Sequence, residues 1–225
     1  IRLAKGKSVA LTTAHVIPEK SWIDRLLSTD LHVHPGVGGV IANHPASGYK
    51  DWAVYFLRYI TFSPPATAEI VNEIAADNAV YRRDDLLAYP ELLDIGFWEP
   101  SFHARFRQNG MHLLLDPGLR VIHRNRYSAR QFFVQRFEHG RAFGLARAVQ
   151  LSLPKRLFLI LLSPVLPLVF LRKIISAVVR QGAYTKHLAG AFPWLIYFLS
   201  GWGFGEARGY LDSLCRKSAS TNRNA

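Results

Sequence analysis

The chain has 225 residues, 28 Lys and Arg against 16 Asp and Glu, a net charge of +12 and 49% hydrophobic residues. These values exclude a disulfide miniprotein and a disordered basic tail. Its single cysteine, Cys215, permits neither an internal disulfide nor a cysteine-based zinc site.

The first residues, IRLAKGKSVALTT, lack the charged start, apolar core and small-residue cleavage site of a signal peptide, and they begin without Met. They read as a chain cut within a domain. Ser8 to Thr12 reads as a short strand, and Pro18 as the start of a helix with Trp22, Ile23, Leu26 and Leu27 on one face. A second strand is expected over Val37 to Ala42, a helix over Asp51 to Ile60 and a third strand over Ile70 to Ala75. Asp84 and Asp85 open a short helix. Residues 99 to 109 (EPSFHARFRQN) carry Pro in the first turn and Gly110 just past the end, so they form another. Strand MHLLL, turn DPG and strand LRVIH follow. The fold class expected is α/β with a mixed sheet.

Between Phe102 and Arg156 there are eleven Lys and Arg against Asp116 and Glu138, so +9 of the +12 is local. Within it, SARQFFVQRFEHGRAFGLARA interleaves Phe132, Phe133, Phe137 and Phe143 with Arg130, Arg136, Arg141 and Arg147, the pattern of an amphipathic interface helix. From Leu157 to Leu171 the chain is uncharged and membrane-like, but Pro164 and Pro167 interrupt it, and it is shorter than the ~20 residues of a straight span. A second apolar run, Leu188 to Gly205, carries Trp194, Tyr197 and Trp202. Together the runs suggest a membrane-associated hairpin, spanning or re-entrant, on an anionic surface. A buried helical pair of a soluble protein is the alternative.

Gly6-Lys7-Ser8 fails as a phosphate loop because Ile1 stands where that motif needs glycine. His32, His34 and His44 lie near one another without an acid or Cys partner to complete a metal site. No Gly-x-Ser-x-Gly elbow and no RNA- or DNA-binding motif is present, so neither hydrolysis nor a nucleic acid partner is expected.

The series LTTAHVIPEKSW, VGGV, ADNAVYRRDDLL, GFWEPSFHARFRQNGMHLLLDPGLRVIH and QRFEHGRAFG, in this order, resembles the family 2 glycosyltransferases of the GT-A fold, especially bacterial membrane-associated members. The resemblance covers Ala4 to about Arg147. It implies residues 1–127 as the C-terminal part of a Rossmann-like GT-A domain whose nucleotide-binding half precedes them, and an inactive chain when that half is missing. Residues 128–156 would be the basic interface helix, 157–210 the helical hairpin and 211–225 a polar tail.

By the resemblance, Thr13-Ala14-His15 stands in place of the family's Asp-x-Asp. Both acids are replaced, leaving His15 as the one ligand for a divalent metal, Mn²⁺ or Mg²⁺, although hard cations prefer oxygen. Asp77 and Asn78, with Arg82, would lie beside donor and acceptor sugars. Glu99 falls on the family's catalytic base, with Trp98 and Phe97 partly desolvating it. Gln135, Arg136 and Arg141 would approach the leaving diphosphate, or lipid headgroups instead. The implied function is inverting transfer of a hexosyl group from a nucleotide-sugar donor to a lipid-linked or cell-envelope polysaccharide acceptor. The implied location is the bacterial inner membrane, with the catalytic domain cytoplasmic. A non-catalytic membrane-binding module, a degenerate relative without its metal acids, is the alternative.

Overall fold

The structure, a computed structural model, describes residues 1–94 and 96–221, with side chains up to residue 214. Cys215 therefore lies outside the described side chains. The strands are β1 (Ser8–Thr12), β2 (Val16–Pro18), β3 (Gly36–Asn43), β4 (Glu69–Val71), β5 (Asn78–Arg82) and β6 (Leu113–His123). The helices are α1 (Trp22–Ser28), α2 (Tyr49–Tyr59), α3 (Arg83–Leu87), α4 (Pro90–Asp94), α5 (Glu99–Gln108), α6 (Ala129–Ala148), α7 (Leu153–Leu162), α8 (Leu166–Gln181) and α9 (Thr185–Thr221). They form two compact units, residues 1–47 with 59–125 and residues 48–58 with 126–225.

The first unit is α/β around a mixed six-stranded sheet of order β1-β5-β3-β6-β2, with β4 also on β6. Among the described residues only β3 and β6 run parallel; the other pairs are antiparallel. Seven consecutive residues of β3 are buried, as a strand covered on both faces requires. Its glycines admit close neighbours: a Cβ on Gly39 would strike the Leu119 carbonyl and the Asn78 amide.

Between Gly39 and Val40 the partner on β6 jumps from Asp116 to Arg120, so Pro117, Gly118 and Leu119 leave the ladder. The expected DPG turn between two strands is thus a bulge inside one continuous strand. Asn78 fills it. Its amide donates to Val40 O at 3.0 Å and Leu119 O at 2.9 Å, and its Oδ1 accepts from Trp22 Nε1 at 2.8 Å. Three further expectations shift. Pro18 ends strand β2 rather than opening a helix, and the third strand stops at Val71. On α1, Trp22 and Leu26 face inward while Ile23 and Leu27 are exposed.

In the second unit α6 opens on a capping box, with Gln131 N donating to Ser128 Oγ and Ser128 N to Gln131 Oε1. Leu153 to Gln181 is helical throughout, with Pro164 in a one-turn 3-10 segment and Pro167 in the first turn of α8, where no intrahelical donor is lost. The prolines do not break it. This stretch of 29 residues, with mean hydropathy 2.1 over its most apolar 18, is long and apolar enough to cross a membrane. Gly182 and Tyr184, both at positive φ, turn the chain into α9, which packs along α8 and α7. The helix α9 continues through the stretch expected as a polar tail; residues 222–225 lie outside the described residues.

Helices α6 and α9 meet through glycine. A Cβ on Gly140 would strike Trp202 O, one on Gly144 Glu206 O, one on Gly205 Phe137 O and one on Gly209 Arg141 O. Gly201 lies on Phe133, Gly205 on Phe137 and Gly209 on Arg141, a constant offset that makes the two helices parallel. Two of the phenylalanines expected to face a membrane turn inward instead, Phe132 being buried and Phe133 stacking on Tyr197 with centroids 4.6 Å apart, whereas Phe143 is 45% exposed. Gly205→Val should therefore lower unfolding stability by about 3 kcal/mol, the upper range for overpacking, because backbone cannot yield as a side chain can. Denaturant unfolding with an unchanged midpoint would refute this packing.

Candidate functional site

Of the sequence-derived residues of the first unit, Asn78 and Arg82 lie on β5, and Trp98 and Glu99 at the start of α5. Trp98 is extended (φ −127°, ψ 102°), and Glu99 is the first residue of α5, where a carboxylate meets the positive end of the helix dipole. Glu99 is half-buried, but Trp98 is 63% exposed. The apolar wall is Phe97, which meets Tyr81 edge-on with centroids 6.0 Å apart and stacks on Phe102 at 5.1 Å.

One helical turn after Glu99 comes His103, a residue that sequence reasoning passed over. It is fully buried, with Nε2 2.9 Å from Tyr81 Oη and Nδ1 2.6 Å from Glu73 Oε2. Arg107 Nη1 lies 3.0 Å from Glu73 Oε1. Burial pushes the His103 pKa down against the opposing pull of Glu73, so the ring is neutral. The consistent tautomer has Nδ1–H donating to Glu73 and Nε2 accepting from the Tyr81 hydroxyl. Burial and the charges of Glu99 and Glu73 hold the Tyr81 phenol well above its ordinary value. This Tyr81–His103–Glu73 chain ties β5 to α5 and so sets where Glu99 stands. The i, i+4 spacing of Glu99 and His103 was the signal available in the sequence.

The network carries a pH dependence. The folded pKa of His103 lies below its ordinary 6.5, so below that pH the unfolded chain binds a proton the folded chain refuses. Stability present above pH 6.5 is lost as pH falls toward the folded pKa. Urea midpoints at about pH 7.5 and 5.5 should fall more in wild type than in His103→Gln, and equal falls would contradict a buried neutral ring.

The other expected residues are placed as follows. Asp77 accepts a hydrogen bond from the Tyr59 hydroxyl. Asn78 is fully buried, and its bonds across the bulge take both donors and an acceptor, so it serves the sheet. Arg82 pairs bidentately with Asp85 at 2.7 and 2.9 Å, which raises its pKa, and it donates to Leu31 O at 3.2 Å, which holds the loop after α1. His15 lies in the β1–β2 turn, where its carbonyl accepts from Arg124 N at 2.8 Å. Among the described residues no three His, Cys, Asp or Glu side chains gather as metal ligands. The residues present therefore do not fit a divalent cation at His15. The histidine trio is likewise dispersed, with His34 Nδ1 on His112 O at 2.8 Å and His44 Nδ1 accepting from Ala46 N.

A cavity of about 340 Å³ also opens in this unit, lined by Arg25, Thr29, Asp30, His34, Leu114 and Asp116 among others, and includes none of the expected site residues.

In the second unit Arg136 lies 5.1 Å from the Phe132 ring centroid and 5.8 Å from that of Trp202, with Nη2 2.8 Å from His139 Nδ1. Burial, with Arg58 nearby, lowers it to about 10. Gln135 Nε2 donates to Tyr127 Oη at 3.3 Å, and its Oε1 is buried without a partner. Arg141 Nε donates to Asp212 at 2.6 Å, tying α6 to α9.

Comparison with family models, characterised proteins and solved structures returned no match. The functional reading rests on the residues themselves.

Proposed function

We propose that the chain is the acceptor-side part of a membrane-associated glycosyltransferase of GT-A type, with Glu99 as the catalytic base. The observation that carries this reading is the half-buried Glu99 at the head of α5, braced from behind by the Tyr81–His103–Glu73 chain. The parallel β3–β6 pair within an otherwise antiparallel sheet and the apolar stretch 153–181 support it. In the reaction the acceptor oxygen attacks the anomeric carbon of a nucleotide sugar, its proton passes to the Glu99 carboxylate, and the bond to the diphosphate breaks. The nucleoside diphosphate leaves with the bonding pair, and the configuration inverts.

The test is release of nucleoside diphosphate from a panel of nucleotide sugars by membranes carrying the complete reading frame that encodes these residues, with a lipid extract as acceptor; the 225 residues alone are expected to release none. Release above that of control membranes is expected, and its absence with every donor removes the reading. A second reading, a non-catalytic membrane-binding module, is favoured by the commitment of Asn78 and Arg82 to the fold and by the dispersed ligand-type side chains. It predicts vesicle binding with no release.

A further inference from the structure

Helix α9 has two occupied faces. Gly201, Gly205 and Gly209 receive α6, while Gly203 lies on Ser163 O and Pro167 and Trp202 meets Phe170. Gly203 is two residues from Gly201, about 200° around the helix, so α6 and the α7–α8 rod lie on opposite sides of α9. The bundle is a three-layer slab, and its two outer faces point away from each other.

Those faces differ in chemistry at the same level along the axis. Outward from α7 and the first half of α8 stand Leu157, Phe158, Leu161, Val165, Leu168 and Val169, with Leu161 80% exposed. Beyond them the same rod turns basic, with Arg172, Lys173 and Arg180 exposed, and Lys155 exposed at its other end. Ser163 to Phe170 stands level with Trp202 and Gly203, and therefore with Phe133 to Phe137 of α6. There and within about a turn on either side α6 exposes Arg130, Gln131 and Glu138, with Val134 and, beside Trp202, Phe143 the apolar exceptions. A bundle set across a bilayer would carry Glu138 to about the depth of Leu161, which is costly. The outward apolar run, Leu157 to Val169, is also only about 20 Å long, short of the ~30 Å hydrocarbon core.

We infer that this bundle lies flat in one leaflet of an anionic membrane, with the α7–α8 face sunk among the acyl chains and α6 turned to water. Lys155, Arg172, Lys173 and Arg180 rim the inserted face and meet the headgroup phosphates. The inference rests on the membrane association proposed above and is independent of the transfer chemistry.

The test uses the whole chain with Cys215→Ser and one new cysteine at a time, Leu161→Cys, Leu168→Cys or Glu138→Cys, each carrying a polarity-sensitive fluorophore. Vesicles are mixed phosphatidylcholine and phosphatidylglycerol with nitroxide on the acyl chains. Quenching at 161 and 168, with none at 138, is expected. Equal quenching at 138 means a crossing bundle and overturns the inference. Protection at 161 without vesicles, in a species of doubled mass, means the face is covered by a second copy and also overturns it. Failure to bind vesicles removes the membrane association itself. Arg172→Ala with Lys173→Ala should weaken binding to the anionic vesicles about 30-fold, at about 1 kcal/mol per basic residue, and leave binding to pure phosphatidylcholine unchanged.

Discussion

Glu99→Gln is expected to lower donor turnover by about 10²–10⁴-fold, the usual worth of a positioned general base. The amide keeps the size and hydrogen-bonding reach of the carboxylate but cannot take the acceptor's proton. Because Glu99 opens α5 without any side-chain capping bond, its loss should leave the fold standing, and the donor KM should change little. His103→Gln supplies the contrast. It leaves the carboxylate in place but removes the anchor one turn along the helix, so it should lower turnover less and also soften the unit to urea. Full activity in Glu99→Gln would remove Glu99 as the base.

Asn78→Leu should cost about 3–5 kcal/mol of stability. The side chain is buried and answers two carbonyls, Val40 O and Leu119 O, together with the indole N–H of Trp22, and an apolar replacement leaves all three unpaired in a dry place. Asn78→Asp should cost at least as much, because it faces those carbonyls with a further acceptor and brings a buried charge. If Asn78 instead read a sugar hydroxyl, both variants would lose turnover while keeping their unfolding midpoints. Circular dichroism in urea separates the two outcomes.

Local signals were readable where local rules decide the structure. The apolar alternation of Ser8 to Thr12 and the Pro100 and Gly110 brackets around α5 placed those elements to within a residue or two, and Gly110 has the positive φ that its position after a helix invites. What escaped was set by distant partners. The resemblance put Asn78 and Arg82 in a loop beside the sugars, a reading their hydrogen-bonding side chains allowed. Yet they begin and end β5, the buried strand between β1 and β3. The Asp-Pro-Gly of β6 carries turn chemistry, but β3 pairs on both sides of it and pulls the segment straight. On α6 the mixture of Phe and Arg read as an amphipathic surface, because nothing in its own 20 residues announces that Gly201, Gly205 and Gly209 will accept its backbone. Glu99 was singled out from its neighbours in sequence, whereas Glu73, 26 positions earlier, entered only through His103.

The central layer of the second unit, α9, is synthesised after the four helices it supports. α6 needs α9 to cover its glycine face, α7 and α8 lie against it, and Trp52 of α2 stacks on His187 with centroids 4.0 Å apart. At about 5–20 residues per second, the 37 residues of α9 take a few seconds to appear, during which four helices wait without their common support. The sheet of the first unit has every strand available by then, so it can close while the bundle is still open. For those seconds the nascent chain exposes the apolar rod Leu153 to Gln181 without its cover. A nearby bilayer would shelter the rod at the stage when aggregation competes most strongly with assembly.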